Sequence, residues 1–223
     1  MEEYRIRIWE ILTSCFFSKW VRPEHAVLDL GCGFGEFINN VKAGQRFGMD
    51  LNPATGAKLS KDVRFLEQDC SELWDLPNES LDIVFTSNFL EHLGDKDAVK
   101  RTLRQAHRCL RPGGKIIAMG PNIRFLPGSY WDFFDHHVIL TERSLAEASI
   151  SVVDQRPSVS GDRQPLTDSS ILLQTGMSDV APPGSHKSLS LLSIVIPARD
   201  EEGCIRSTVE HLHLELSLNQ VPH

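Results

Sequence analysis

Three glycines, Gly31, Gly33 and Gly35, alternate directly after the apolar run Val27-Leu28-Asp29-Leu30. Glycine permits a tight turn and lets the backbone come close to a ligand. The run before them suits a buried strand of a parallel sheet, with the acid Asp29 inside it. A second strand-like segment, Arg46-Phe47-Gly48-Met49-Asp50-Leu51, ends in another acid. A glycine loop followed at about twenty residues by a carboxylate is how a Rossmann-like sheet holds a nucleoside, the carboxylate meeting the ribose hydroxyls. Dinucleotide sites use Gly-x-Gly-x-x-Gly and cradle a pyrophosphate. Here the spacing differs, and Glu36 follows the loop, where a carboxylate repels phosphate. Other groups with chemistry are His92 and the segment Tyr130-Trp131-Asp132-Phe133-Phe134-Asp135-His136-His137. Histidine titrates near neutrality and is the natural proton acceptor for an oxygen nucleophile.

Further elements must position these groups. Val63-Arg64-Phe65-Leu66-Glu67-Gln68-Asp69-Cys70 reads as a third strand with Asp69 at its carboxyl end. Leu81 to Asn88 reads as a fourth, followed by Phe89-Leu90-Glu91-His92-Leu93. The spacing of Val99, Leu103, Ala106 and Leu110 predicts an amphipathic helix from Asp95 to Leu110, with Asp95 as its N-cap. Arg111-Pro112-Gly113-Gly114 stops it, and Lys115 to Met119 forms a fifth strand. Thr141 is placed to cap a helix over Glu142 to Ala148. Residues 4–21 predict an N-terminal helix from Tyr4, Ile8, Ile11, Leu12 and Phe16. That helix either covers the ligand as a lid or packs on the sheet.

The glycine triplet, the acids at 50 and 69, and the Leu-Arg-Pro-Gly-Gly-Lys stop before the fifth strand resemble the class I methyltransferases, of the methyltransferase type 11 kind. The resemblance covers about residues 20–148 and implies a fold and a cofactor. The fold is α/β, a Rossmann-like doubly wound and mostly parallel sheet. The cofactor is S-adenosyl-L-methionine (SAM), which has no phosphate and carries a cationic sulfonium. The resemblance places Asp50 with Leu51 on the ribose, and Asp69 with the Cys70 amide around adenine. Asp29, Gly31, Gly33, Gly35, Ser87 and Asn88 fall at the methionine end. A strand-end acid such as Asp69 also commonly caps a loop. His92, His136 and His137 are the candidate catalytic bases, near the expected methyl or roofing the acceptor pocket; packing at a turn accounts for them equally well. No metal is expected, because adjacent histidines on a short loop rarely converge without a third ligand.

The chain has 223 residues and a net charge of −7, enough for one α/β domain and unfavourable for a nucleic-acid partner. Its five scattered cysteines, Cys15, Cys32, Cys70, Cys109 and Cys204, suit neither a disulfide framework nor a zinc site, and fit a cytoplasmic location. No apolar run reaches a membrane span, and the start Met1-Glu2-Glu3 is not a signal peptide. Oligomeric state is not readable.

The sequence departs from the family after Ala148. Ser149 to Asp154 suggests a shortened route to a sixth strand, so the usual antiparallel C-terminal strand pair is expected to be incomplete or atypical. Residues 155–190 are rich in Ser, Pro, Gly and Asp and predict a linker. Residues 191–215, opening Leu191-Leu192-Ser193-Ile194-Val195-Ile196-Pro197-Ala198-Arg199-Asp200-Glu201-Glu202, resemble the start of a family 2 glycosyltransferase. No Asp-x-Asp follows, so the sequence does not supply what a sugar-nucleotide transfer needs. The expected division is 1–22 an N-terminal helix, 23–154 the SAM-binding domain, 155–190 a linker and 191–223 the glycosyltransferase-like fragment. The expected function is methyl transfer to a small molecule, sugar or lipid-linked intermediate. The alternatives are a non-catalytic SAM-binding or partner-binding domain and, less well matched, a nicotinamide oxidoreductase.

Overall fold

A computed structural model describes residues 2–154 and 190–195. Six strands form one sheet: β1 (Ala26–Leu30), β2 (Gln45–Asp50), β3 (Val63–Glu67), β4 (Leu81–Ser87), β5 (Leu110–Gly120) and β6 (Ser190–Val195). Their order is β3-β2-β1-β4-β5-β6, and every adjacent pair is parallel. The order reverses between β1 and β4, which opens a crevice at the carboxyl ends of those two strands.

Side-chain alternation sorts the sheet into two apolar layers. Leu28, Leu30, Val84, Ile116 and Ala118 point to one face and pack with Val99, Leu103 and Ala106 of α2 (Lys96–Cys109) and Leu145, Ala146 and Val152 of α3 (Glu142–Asp154). Val27, Ile83, Phe85, Ile117 and Met119 point to the other and pack with Ile8 of α1 (Glu2–Ile11), with Leu12 and Phe17 beyond it, and with Phe37 and Ile38. Phe37 stacks on Phe85 with centroids 3.6 Å apart.

Asp95 caps α2 as expected, its Oδ1 accepting the Ala98 amide at 2.6 Å. Thr141 caps α3: its Oγ1 accepts from the Ser144 amide while the Ser144 hydroxyl accepts from the Thr141 amide. This reciprocal pair is a capping box with serine in the place of glutamate.

Three expectations shift. Leu110 opens β5 instead of closing α2, because its backbone pairs with Leu81. Ser149 to Asp154 is not a route to a strand: α3 runs on to Asp154, with Val152 buried and the Ser149 hydroxyl returned to the Leu145 carbonyl. Among the described residues no antiparallel pair follows. The strand expected near 191 lies as β6 beside β5, in parallel register from Lys115↔Ser190 to Gly120↔Val195. The linker residues 155–189 and the glycosyltransferase-like residues 196–223 lie outside the described residues.

Candidate functional site

The glycine loop leaves β1 at the crevice and is held from below. The amides of Gly31 and Cys32 both donate to the Met49 carbonyl, at 2.9 and 3.1 Å. All three glycines have positive φ, at +70° (Gly31), +49° (Gly33) and +79° (Gly35). Their surroundings differ. A Cβ on Gly31 would meet the Phe89 ring at 2.2 Å, and one on Gly35 would meet Leu59 and Asn39 at 2.6 and 2.7 Å. Around Gly33 there is nothing within 4 Å. Gly31 and Gly35 therefore make room for protein packing, whereas Gly33 faces open space.

Asp50 sits across from Gly33. Its Oδ2 accepts the Gly33 amide at 2.9 Å and its Oδ1 accepts the Asn52 amide at 2.8 Å. Each carboxylate oxygen has capacity for a second acceptor bond. A pair of hydroxyls on neighbouring carbons is the partner that two such oxygens suit. Leu51, the next residue, is 67% exposed at the same rim. Ser87 ends β4 on the other side of the crevice. Asn88 follows at φ +47°, its amide bound to the Met119 carbonyl.

Asp29 lies under the loop, 3% exposed. Burial pushes its carboxyl up to about 8; the Ile38 amide opposes the shift and the Asp50 charge adds to it. Folding therefore takes up a proton here. This group's contribution to stability is greatest below its unfolded value and is lost as pH rises from about 4 to about 8. The slope is at most roughly 1.4 kcal/mol per pH unit. Asp29→Asn is expected to flatten that fall. Thermal unfolding of both proteins at about pH 5 and about pH 8 reads it, and identical pH dependence would contradict it.

Asp69 and Cys70 lie just past the end of β3, and some of their polar groups are engaged. The Asp69 Oδ1 accepts the Ser71 amide at 2.8 Å, a loop-capping bond. The Cys70 carbonyl accepts from the Trp74 indole, and its thiol, raised by burial to about 11, takes a bond from the Thr102 hydroxyl. A thiol in that state is no nucleophile at neutral pH.

Beyond β4, a single 3-10 turn, Leu90–His92, brings up a buried acid and a histidine. Glu91 is 3% exposed, and burial raises its carboxyl from the ordinary value. The Tyr130 hydroxyl donates to it at 3.2 Å. The loop after β5 is clamped here, since the amides of His137 and Val138 both donate to the Glu91 carbonyl, at 2.8 and 3.0 Å. His92 and His136 meet with centroids 4.9 Å apart, while His137 turns outward beside Phe134. The structure thus joins two of the three candidate bases and leaves the third apart. Glu91 and Tyr130 complete the group. Glu91 carried no signal of its own, because a carboxylate next to a histidine on a short turn reads as solvent-exposed.

Next to the glycine loop, Arg5 of α1 pairs with Glu36 and lies over the Phe34 ring. Residues 36–40 form successive turns, not a regular helix. Among the described residues, the segment after the glycine loop therefore aims no helix N-terminus into the crevice in the manner of a pyrophosphate site.

Residues 28–118 match the methyltransferase domain family. A probable S-adenosylmethionine-dependent methyltransferase of Mycolicibacterium smegmatis is 35% identical over 111 residues, 46% of this chain and 40% of that protein. Phosphoethanolamine N-methyltransferase 3 of Arabidopsis thaliana is 28% identical over 111 residues, 44% of this chain and 21% of that protein. This chain thus spans less than half the length of these relatives. A SAM-dependent methyltransferase from Archaeoglobus fulgidus shares the fold with a TM-score of 0.55 at 23% identity, covering 66% of this chain and 68% of that one. Residues 28–118 are thus similar to a methyltransferase domain, and the solved structure shares the fold.

Proposed function

We propose that this chain is a SAM-dependent methyltransferase acting on a small-molecule, sugar or lipid-linked acceptor. The observation that carries the reading is the Asp50 carboxylate bound to the Gly33 amide at the strand-order reversal, with open space over Gly33. A vicinal diol fits the remaining lone pairs of Asp50, and the uncovered backbone of Gly33 lets a ligand lie against the loop. Glu36 beside the loop repels a phosphate, and Arg5 next to it is already paired with Glu36. The Arabidopsis relative is named for a small polar substrate, which supports the acceptor class.

SAM supplies a methyl group on a positively charged sulfur, ready for in-line displacement. The protein's part is alignment, which contributes up to roughly 7–11 kcal/mol in ideal cases. In this reading Asp50 and the loop fix the adenosyl end, Asp29 and Asn88 face the methionine end, and Asp69 borders the adenine. His92, His136, Glu91 and Tyr130 gather where the loops after β4 and β5 meet, the place for the acceptor. An imidazole there can take the acceptor's proton.

Calorimetry with SAM, S-adenosylhomocysteine and NADH tests this. Binding of the first two and not of NADH is the expected result, and NADH binding alone would overturn it. Transfer of labelled methyl to small molecules of a cell extract then separates an enzyme from a SAM-binding domain without turnover. Tight SAM binding with repeated absence of label would favour the second.

A further inference from the structure

His92 comes from the turn after β4, and Asp135 and His136 come from the loop after β5. Each offers one ligand atom, and all of these atoms lie within 4.8 Å of one another. The third ligand that a pair of adjacent histidines lacks in sequence is thus supplied in space. The backbone bonds from His137 and Val138 to Glu91 hold the two loops together, so the cluster does not depend on a chance meeting of mobile side chains.

The imidazoles are also oriented. The His136 Nδ1 lies 2.6 Å from the Tyr130 carbonyl, an acceptor only, so Nδ1 carries the hydrogen and Nε2 keeps its lone pair. Donation from the far ring nitrogen to a carbonyl is how metal-binding histidines are fixed in tautomer and direction. On His92 it is Nδ1 that faces the cluster, 3.3 Å from the Asp135 carboxylate and 3.1 Å from the Asp135 carbonyl. Ligand atoms around a tetrahedral ion with bonds of about 2.1 Å stand roughly 3.4 Å apart, so rotation of the Asp135 side chain, 68% exposed, has little distance to close. Two imidazoles and one carboxylate leave positions open for an exogenous group.

We propose that His92, Asp135 and His136 form a binding site for a divalent first-row transition-metal ion, open on the side where the acceptor would lie. The ion's use in catalysis rests on the methyl-transfer reading, while the binding site does not. In catalysis it would act as a Lewis acid. With the ion bound, the two imidazoles serve as ligands in place of the base role, so an acceptor hydroxyl drawn to the ion gives its proton to water and its lone pair forms the new O–CH3 bond. The C–S bond pair departs on sulfur, and the metal keeps its oxidation state.

The test uses the full chain, stripped with a chelator and titrated with Co2+, with Zn2+ as competitor. One equivalent of Co2+ should produce a visible ligand-field band that Zn2+ abolishes. Asp135→Asn and His136→Gln should each weaken Co2+ binding about tenfold or more, while His25→Gln, far from the cluster, leaves it unchanged. A wild-type protein without the band, or variants that bind Co2+ as wild type does, would overturn the site. SAM calorimetry on the same samples keeps the two readings apart. Retained SAM affinity in the variants shows that metal loss is not unfolding. A protein that binds Co2+ as described but not SAM would leave the metal site standing and remove the methyl-transfer reading.

Discussion

Asp50→Ala is expected to lower SAM affinity by about 100-fold or more. Two charge-assisted hydrogen bonds to the ribose, each worth roughly 1.5–3 kcal/mol, account for that loss at about 1.4 kcal/mol per tenfold. The same change orphans the Gly33 and Asn52 amides. Both are near the surface and regain water, so unfolding should shift far less than binding. Calorimetry beside a thermal melt separates the two effects. Undiminished SAM affinity in a folded Asp50→Ala protein would remove the ribose role and with it the cofactor geometry. Asp50→Asn, which keeps one acceptor oxygen and loses the charge, should fall between the two.

Gly31→Ala is expected to be the most damaging of the loop glycine changes to stability, by roughly 2–4 kcal/mol. About 1 kcal/mol or more comes from forcing a side chain to φ +70°. The rest comes from overpacking, since the new methyl would stand 2.2 Å from a ring carbon of Phe89. For a domain of this size the melting temperature should drop by roughly 2–4 °C per kcal/mol. Gly33→Ala carries the backbone penalty at φ +49° but meets no neighbour, so its melt should move about 1 kcal/mol and its cost should fall on SAM binding. The variant Gly31→Ala with Phe89→Ala removes the clash and should be less destabilised than the sum of its parts. Equal melting temperatures for Gly31→Ala and Gly33→Ala would contradict this division of the loop.

The strands and α2 were legible because each rests on a local pattern: the run before Gly31, the acid ending β2, the Asp95 cap and the proline-glycine stop. Less legible were features that depend on what comes alongside. Phe89 looked like an ordinary residue after a strand, yet its ring gives Gly31 its reason to be glycine. Asp69 carried two readings in sequence, and its loop-capping bond to the Ser71 amide is compatible with both. Ser149 to Asp154 read as a strand route because serine and valine disfavour helix, and the burial of Val152 against the sheet layer outweighed that local preference. The meeting of His92 with Asp135 and His136 spans more than forty residues, and no spacing rule reaches that far. The acceptor stays open for a related reason: its pocket walls come from loops whose composition, not pattern, is all a sequence offers.

The place of α1 has a consequence for how anything enters or leaves the crevice. Its Arg5 grips Glu36 beside the glycine turn, yet Ile8 and the residues that continue it, Leu12 and Phe17, are sealed against Val27, Ile83 and Phe85. Lifting that segment away would wet three large apolar side chains at about 1.5–3 kcal/mol each, a sum comparable with the whole stability of a small domain. A hinged door at that expense would stand ajar in only a minute share of molecules. The stretch from Ile8 to Phe17 therefore stands as a fixed wall, and any route into the crevice runs past its other borders.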